Sequence, residues 1–446
     1  MRTIISVLCL CAFVPLNALA AATVFINVNV IAMTDDRVVR AQTVVINNGR
    51  ITAIGDVDVT SLPEDADVVD GTDRYLLPGL TEMHGHITAT DWRSLDSVFG
   101  LFVANGVTTV RGMLGRPDHL ELRQKVLDQE ILGPRLITSG PSLNGNSIEG
   151  VEHAAATVEE HHRAGYDFLK IHPGLTYAEF MAIAETANKL DMPFAGHVPS
   201  DVGVPEALAA GIATIDHLDG YMQTLISPDE APSGGLGGFF GLLLAVHADE
   251  SRIQGIAEAT AAAGVAIVPT EALFEHSTND VDPDEMGDWP EMKYVSRRVV
   301  REWIAIKRDL AADDDTGERV GARAIDLRRK LILALHQAGV QILLGSDSPQ
   351  RFNVPGFALH RELEYLVAAG LTEFEALQTG TVNAARFFGN DDLGTIEVGK
   401  IADLVLLDQN PLADIINIRR VHGTMLRGRW VSREEIDAIL ARVARN

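Results

Sequence analysis

Between about Leu76 and Gly389 the chain alternates short apolar runs with longer stretches whose apolar positions fall three and four residues apart. Runs of the first kind read as buried parallel strands, and stretches of the second as the helices that cross between them. Eight runs qualify: 77–83, 107–111, 135–139, 168–172, 194–197, 213–217, 265–269 and 341–345. The expected fold is α/β, a (β/α)8 TIM barrel, in which functional side chains stand at the C-terminal ends of the strands. Outside that region the period changes to two. Strands are expected over 24–32, 42–46 and 50–54 with a tight turn at Asn48–Gly49, and again over 402–407 and 422–431, the last folding about Arg427–Gly428. The two ends are expected to pair.

Two insertions break the regular spacing. Residues 227–246 mix glycines with apolar side chains, and two readings stand side by side: a lid, or a segment packed on the barrel rim. Residues 271–326 are helical in pattern and highly charged, with a turn expected at Asp313–Asp315.

Composition narrows the compartment and the partners. With 446 residues, 46% apolar and 22% charged, the chain is an ordinary globular one, long enough for a large barrel and a small companion domain. It opens with Arg2, an apolar run over 4–16 and small residues ending at Ala22, which is the order of a secretory signal. The run is too short to span a bilayer and no basic stop-transfer flank follows it, so removal of 1–22 and a soluble periplasmic or secreted product are expected. Both cysteines, Cys9 and Cys11, fall in that leader, and neither follows the small residue a lipoprotein signal needs. The mature chain then has no disulfide and no thiolate, and any metal must take nitrogen and oxygen ligands. A net charge of -25 excludes nucleic acid and anionic lipid as partners, since both would repel it. A homo-oligomer is left open.

His84 and His86 flank Gly85 at the end of the first run. Side chains two apart on a strand share a face, so both imidazoles could reach one metal ion. Two such histidines alone are more often surface or packing residues. Their company changes the reading: Lys170, His197, His217 and Asp347 each close another short apolar run. In that order the six residues resemble the amidohydrolase superfamily, in the subgroup of imidazolonepropionase-related and Xaa-Pro dipeptidase-like proteins. The likeness runs from about Thr23 to Val431, and the phrases over 393–405 and 426–429 are typical of it.

The resemblance implies a bipartite β-sandwich, 23–75 with 395–435, beside a barrel of 76–394. It also implies two divalent metal ions, with zinc the first expectation. One would be held by His84, His86, N6-carboxylated Lys170 and Asp347, and the other by the same carbamate with His197 and His217. A metal-bridging hydroxide would attack, and Asp347 would move the proton as the catalytic acid and base. Carboxylation answers a difficulty visible in the residues themselves, since an ammonium has no lone pair for a metal and is costly to bury unpaired. The competing reading is a lysine salt-bridged to Glu82 or Asp216.

Three further residues are expected to touch substrate. Arg111 ends the second run and its fork of donors suits a carboxylate; Tyr221 lies just past His217 and suits an oxygen; His172 shares the face of Lys170 and suits either. For each, a hydrogen bond at the rim or an exposed position is the alternative. His161 and His162 read as solvent-facing, His119, His247, His276 and His336 have no ligand-like neighbours, and His360 belongs to the helix after the eighth run. The expected activity is hydrolysis of the C–N bond of a small amide, a dipeptide such as Xaa-Pro or an N-acyl amino acid. Two rivals are kept. A cyclic amide hydrolase of the imidazolonepropionase kind would use one metal, and Lys170 speaks against it. A non-catalytic binding relative would have lost ligands, and none is missing here.

Overall fold

Period-two alternation at the N-terminal end folds as β1 (Thr23–Val30), β2 (Val39–Asn47) and β3 (Arg50–Asp56), an antiparallel set flanked by β4 (Asp67–Asp70) and β5 (Tyr75–Pro78), both parallel to β1. The β2–β3 turn falls on Asn48 and Gly49, with φ of 50° and 75°. Those are left-handed values that asparagine and glycine take most readily. The computed structural model describes residues 22–56, 60, 62–88, 92–227, 239–312 and 318–444. The expected leader (apart from Ala22), most of the glycine-rich insertion and the Asp313–Asp315 turn lie outside them.

After Pro78 come, among the described residues, seven parallel strands, all but the third wholly buried. β6 (Leu80–Gly85), β7 (Val107–Gly112) and β8 (Arg135–Thr138) form one sheet in that order. A second sheet contains β9 (Leu169–Ile171), β10 (Phe194–Gly196), β11 (Thr214–Asp216) and β12 (Ala266–Val268), also in chain order. Helices fill the crossovers. Trp92–Ala104 lies between β6 and β7, Val151–Ala164 between β8 and β9, and Tyr177–Lys189 between β9 and β10. The last is started by a capping box, Thr176 with Glu179, which satisfies backbone N–H groups that a helix start leaves free. A parallel bridge between Ser139 and Phe168 links the two sheets.

The eighth expected strand is not regular. Residues 341–348 touch β12 through the Ile267–Ile342 bridge and touch β6 through the Gly85–Ser348 bridge and the Met83 N–H donating to Leu344 O at 2.8 Å. The physical reason is Glu82. Its buried carboxylate accepts the backbone N–H groups of both His84 and Ser346 at 2.9 Å, so a side chain takes the place of ladder bonds there.

At the other end of the chain β13 (Leu404–Leu407), β14 (Val421–Leu426) and β15 (Arg429–Val431) return beside the first strands. β5 pairs antiparallel with β13, Leu76 opposite Leu406 and Pro78 opposite Leu404. One eight-stranded sheet therefore takes strands from both ends, in the order β15-β14-β13-β5-β1-β2-β3 with β4 on β1. Phe25, Val44, Leu76, Leu404 and Met425 are buried together in it, and Phe25 meets Trp430 edge-on at 5.1 Å. Full burial of each such side chain contributes roughly 1.5–3 kcal/mol, enough to hold a small sheet built from two distant segments.

Candidate metal centre

The ends of the parallel strands bring six side chains to one place. His84 belongs to β6 and His86 lies just beyond it; Lys170 is in β9; His197 and His217 directly follow β10 and β11; Asp347 follows the irregular eighth segment. Ring centroids run in a continuous series: His86 to His84 at 5.3 Å, His84 to His217 at 4.5 Å, His217 to His197 at 4.8 Å and His197 to His172 at 4.9 Å. The Asp347 carboxylate lies among them, 2.6 Å from His86 Nε2, 3.6 Å from His84 Nε2 and 3.7 Å from His217 Nδ1. His84, His86 and Asp347 each place a ligand atom within 4.8 Å of the others, close enough to share one ion.

Neighbouring groups fix which imidazole nitrogen is free. His197 Nδ1 lies 3.0 Å from Asp219 Oδ2, a carboxylate that can only accept, so Nδ1 carries the proton and Nε2 the lone pair. Thr270 donates its hydroxyl proton to Pro269 O, so its oxygen accepts from His217 Nδ1 at 2.9 Å, again leaving Nε2 free. Thr270 is in turn held by the start of the helix Glu271–Thr278. There the Glu362 carboxylate accepts the N–H groups of Glu271 and Ala272, and Arg328 donates to Glu271, His217 O and Pro269 O. Asp347, His217 and Thr270 all sit at left-handed φ, 57°, 67° and 50°. For residues other than glycine this is a strained conformation, of the sort that packed surroundings impose at functional sites.

Burial decides the charges. It pushes His84 and His217 well below the usual imidazole range, with Lys170 adding to the effect, and it lowers His172 to about 2 in the same way. All three are therefore neutral donors of lone pairs at ordinary pH. Burial also pushes the Lys170 amine down. Its Nζ is fully enclosed, donates no hydrogen bond among the described residues, and lies 3.7 Å from Asp216 Oδ2. Burial alone would raise Asp216, but Arg111, Lys170 and His217 together outweigh it and hold the carboxyl below its ordinary range. Asp216 also approaches His84 Nδ1 to 3.0 Å, without the alignment of a hydrogen bond. The ion pair expected as the alternative is therefore present with Asp216, but without a hydrogen bond among the described residues; the amine is desolvated, and the neutral imidazoles beside it form a donor set that fits divalent metal.

Two of the residues expected to touch substrate are buried with partners of their own. Arg111 is fully buried and turns under the strands: Nε donates to Met83 O at 2.7 Å, and Nη2 lies 3.2 Å from Thr214 Oγ1 and 3.3 Å from Asp216 Oδ1. It neutralises Asp216 and leaves no fork for a ligand. Tyr221 is also buried, with its hydroxyl 2.8 Å from Thr260 Oγ1. His172 does face the site, stacked on His197. His161 is buried against Tyr166, whereas His162 is exposed.

Sequence reasoning missed Asp219, Thr270, Arg328 and the aromatic cover. Asp219 and Thr270 are polar residues within three positions of a strand end, a signal too common to stand out without coordinates. Phe240 packs over His197 and His217, 5.6 and 5.0 Å away, from the described part of the glycine-rich insertion. Beside it opens a cavity of about 1180 Å³ whose walls include His197, Asp219, Pro199, Val204, Phe239 and Leu244. Its size and mainly apolar lining suit a small organic ligand.

Residues 75–431 match the model of the family described as the amidohydrolase family. Among curated proteins, the chain is 25% identical over 364 residues to ochratoxinase of Aspergillus niger, covering 76% of this chain and 71% of that one. It is 22% identical over 412 residues to imidazolonepropionase of Idiomarina loihiensis, covering 87% and 92%. Among solved structures, a Xaa-Pro dipeptidase with bound methionine in its active site superposes with a TM-score of 0.66 at 20% identity, over 92% of this chain and 100% of that one. At that identity the likeness is one of fold.

Proposed function

The chain belongs to the amidohydrolase family and is a hydrolase of carbon–nitrogen bonds; from that premise we propose that its substrate is a small amide, either a dipeptide such as Xaa-Pro or an N-acyl amino acid. On this reading two divalent ions, zinc first among them, would be held by N6-carboxylated Lys170 together with His84, His86 and Asp347 for one and His197 and His217 for the other. The carrying observation is the Lys170 amine itself, wholly buried among the histidines and making no hydrogen bond among the described residues, with only the Asp216 carboxylate 3.7 Å away. The parallel strands with their bridging eighth segment act as a closed (β/α)8 barrel, and the eight-stranded sheet of both ends as its β-sandwich companion. The leader exports the protein to the periplasm or beyond.

A bound metal pair supplies a water acidic enough to ionise near neutral pH and polarises the scissile carbonyl. The remaining work falls to the chain. Asp347, touching His86 and near His84 and His217, accepts the proton as water oxygen adds to the amide carbon, and returns it to the nitrogen as the C–N bond breaks. Asp219 and Thr270 keep their histidines in the ligating tautomer. Phe240 shields the imidazoles from bulk water, which strengthens every charge interaction beneath it. One observation favours the single-metal alternative: among the described residues, only His84, His86 and Asp347 form a group tight enough for an ion without Lys170.

The test is turnover by the zinc- or manganese-loaded protein on Xaa-Pro dipeptides, N-acyl amino acids and aromatic amino-acid amides, read as release of free amine. Cleavage of at least one of the first two classes is expected. No release from any of them would contradict the substrate assignment.

A further inference from the structure

Arg111 was the expected partner for a substrate carboxylate, and its donors are spent elsewhere. Another guanidinium stands at the rim. Arg351 follows Asp347 by four positions, in a loop where Arg351 and Phe352 both take left-handed φ, 45° and 66°. Residues with side chains seldom accept those values, so something must hold the loop. Asn353 does so: its N–H donates to Gln350 O at 2.7 Å, its amide donates to Ser346 O, and its Oδ1 lies 2.7 Å from His276 Nδ1.

The twist sends neighbouring side chains apart. Phe352 goes into the core beside Trp289 and Trp303, while the Arg351 guanidinium lies over Phe239, its Cζ 3.8 Å from the ring centre. Phe239 is packed edge-on against Phe240, the ring that covers His197 and His217, at 4.7 Å. Arg351 therefore stacks on the aromatic pair that covers the imidazoles. Its Nη1 is sealed from solvent yet donates to no acceptor among the described residues, and the charge that acts on the guanidinium there is that of Asp347. The contrast with Arg328 is direct, since that buried guanidinium makes three hydrogen bonds. A buried donor left unmade is costly, and a guanidinium fixed on an aromatic face presents a planar fork that matches a carboxylate. In a chain of net charge -25, a local cation is also what an anionic ligand needs in order to be held.

We propose that Arg351 receives the free α-carboxylate of the substrate, so that the enzyme acts on N-acyl amino acids and dipeptides in preference to their carboxamides. The inference rests on the amide-hydrolase reading of the site, and binding separates the two. Calorimetric titration of the metal-loaded full chain with N-acetyl-L-phenylalanine and with its carboxamide should show the acid bound about 10- to 100-fold more tightly. In R351M that preference should fall to about one, and in R351K, which keeps the charge without the fork, to an intermediate value. Wild-type protein without preference, including protein that binds neither compound, would overturn the proposal, as would an R351M that keeps the preference. Should R351M fail to fold, an R351K preference equal to that of wild type would overturn it as well. Protein that prefers the acid but releases no amine from any substrate would retain the carboxylate site and lose the hydrolase reading.

Discussion

On the proposed reading Lys170 gathers the chemistry, because burial works against the charge that would bar it from a metal. With its ammonium disfavoured, the amine keeps a lone pair that can add to carbon dioxide, losing one proton and gaining two ligand oxygens. Replacing it by methionine should abolish bound metal at the bridging position and lower kcat/KM at least about a thousandfold. It should leave the melting temperature of metal-free protein unchanged or raised, since a desolvated amine is exchanged for an apolar chain of similar length while Arg111 still neutralises Asp216. Metal analysis and calorimetry on the same preparations check both parts. Asp219 works one step further out. D219A frees the His197 ring to turn and take the other tautomer, and should weaken metal affinity about 10- to 100-fold in a chelator competition. The clustering of the six candidate ligands was legible in sequence because strand ends and period two place them. The partners of Arg111 and Tyr221 were not, because position at a strand end says which rim a residue is near and not which acceptor its side chain finds. Met83 O and Asp216 capture the first and Thr260 the second.

At the scale of the strand, room for Lys170 is made by Gly196. Its φ is 126°, and a Cβ there would lie 2.5 Å from Ile171 O and 2.9 Å from Lys170 Cδ. β10 can therefore end beside β9 only if this residue has no side chain. G196A should lower the melting temperature of metal-loaded protein and cut bound metal together, because the displaced stem is the one that carries the bridging amine. An unchanged metal content would show that Lys170 does not depend on this contact. The helix-and-strand alternation was readable because parallel strands buried on both faces are continuous apolar runs. The eighth element was readable as apolar and not as irregular, since its ladder is interrupted by Glu82, a side chain more than 250 residues earlier in the chain.

Across the whole molecule, chain ends more than 300 residues apart are joined through β5 and β13, while the metal-centre residues come from five separate segments of the part between. The alternating ends were legible as a pair, whereas the aromatic cover was not, since Phe239 and Phe240 are placed by tertiary packing around the barrel rim and not by any local period. On the proposed reading, a pair of metal ions shared among those segments would tie the central part together as well as activating water. The most direct test is 13C NMR of the folded, metal-loaded protein equilibrated with 13C-bicarbonate. The account predicts one protected carbamate carbon per chain that is absent from K170M; a spectrum of wild-type protein indistinguishable from that of K170M would contradict it.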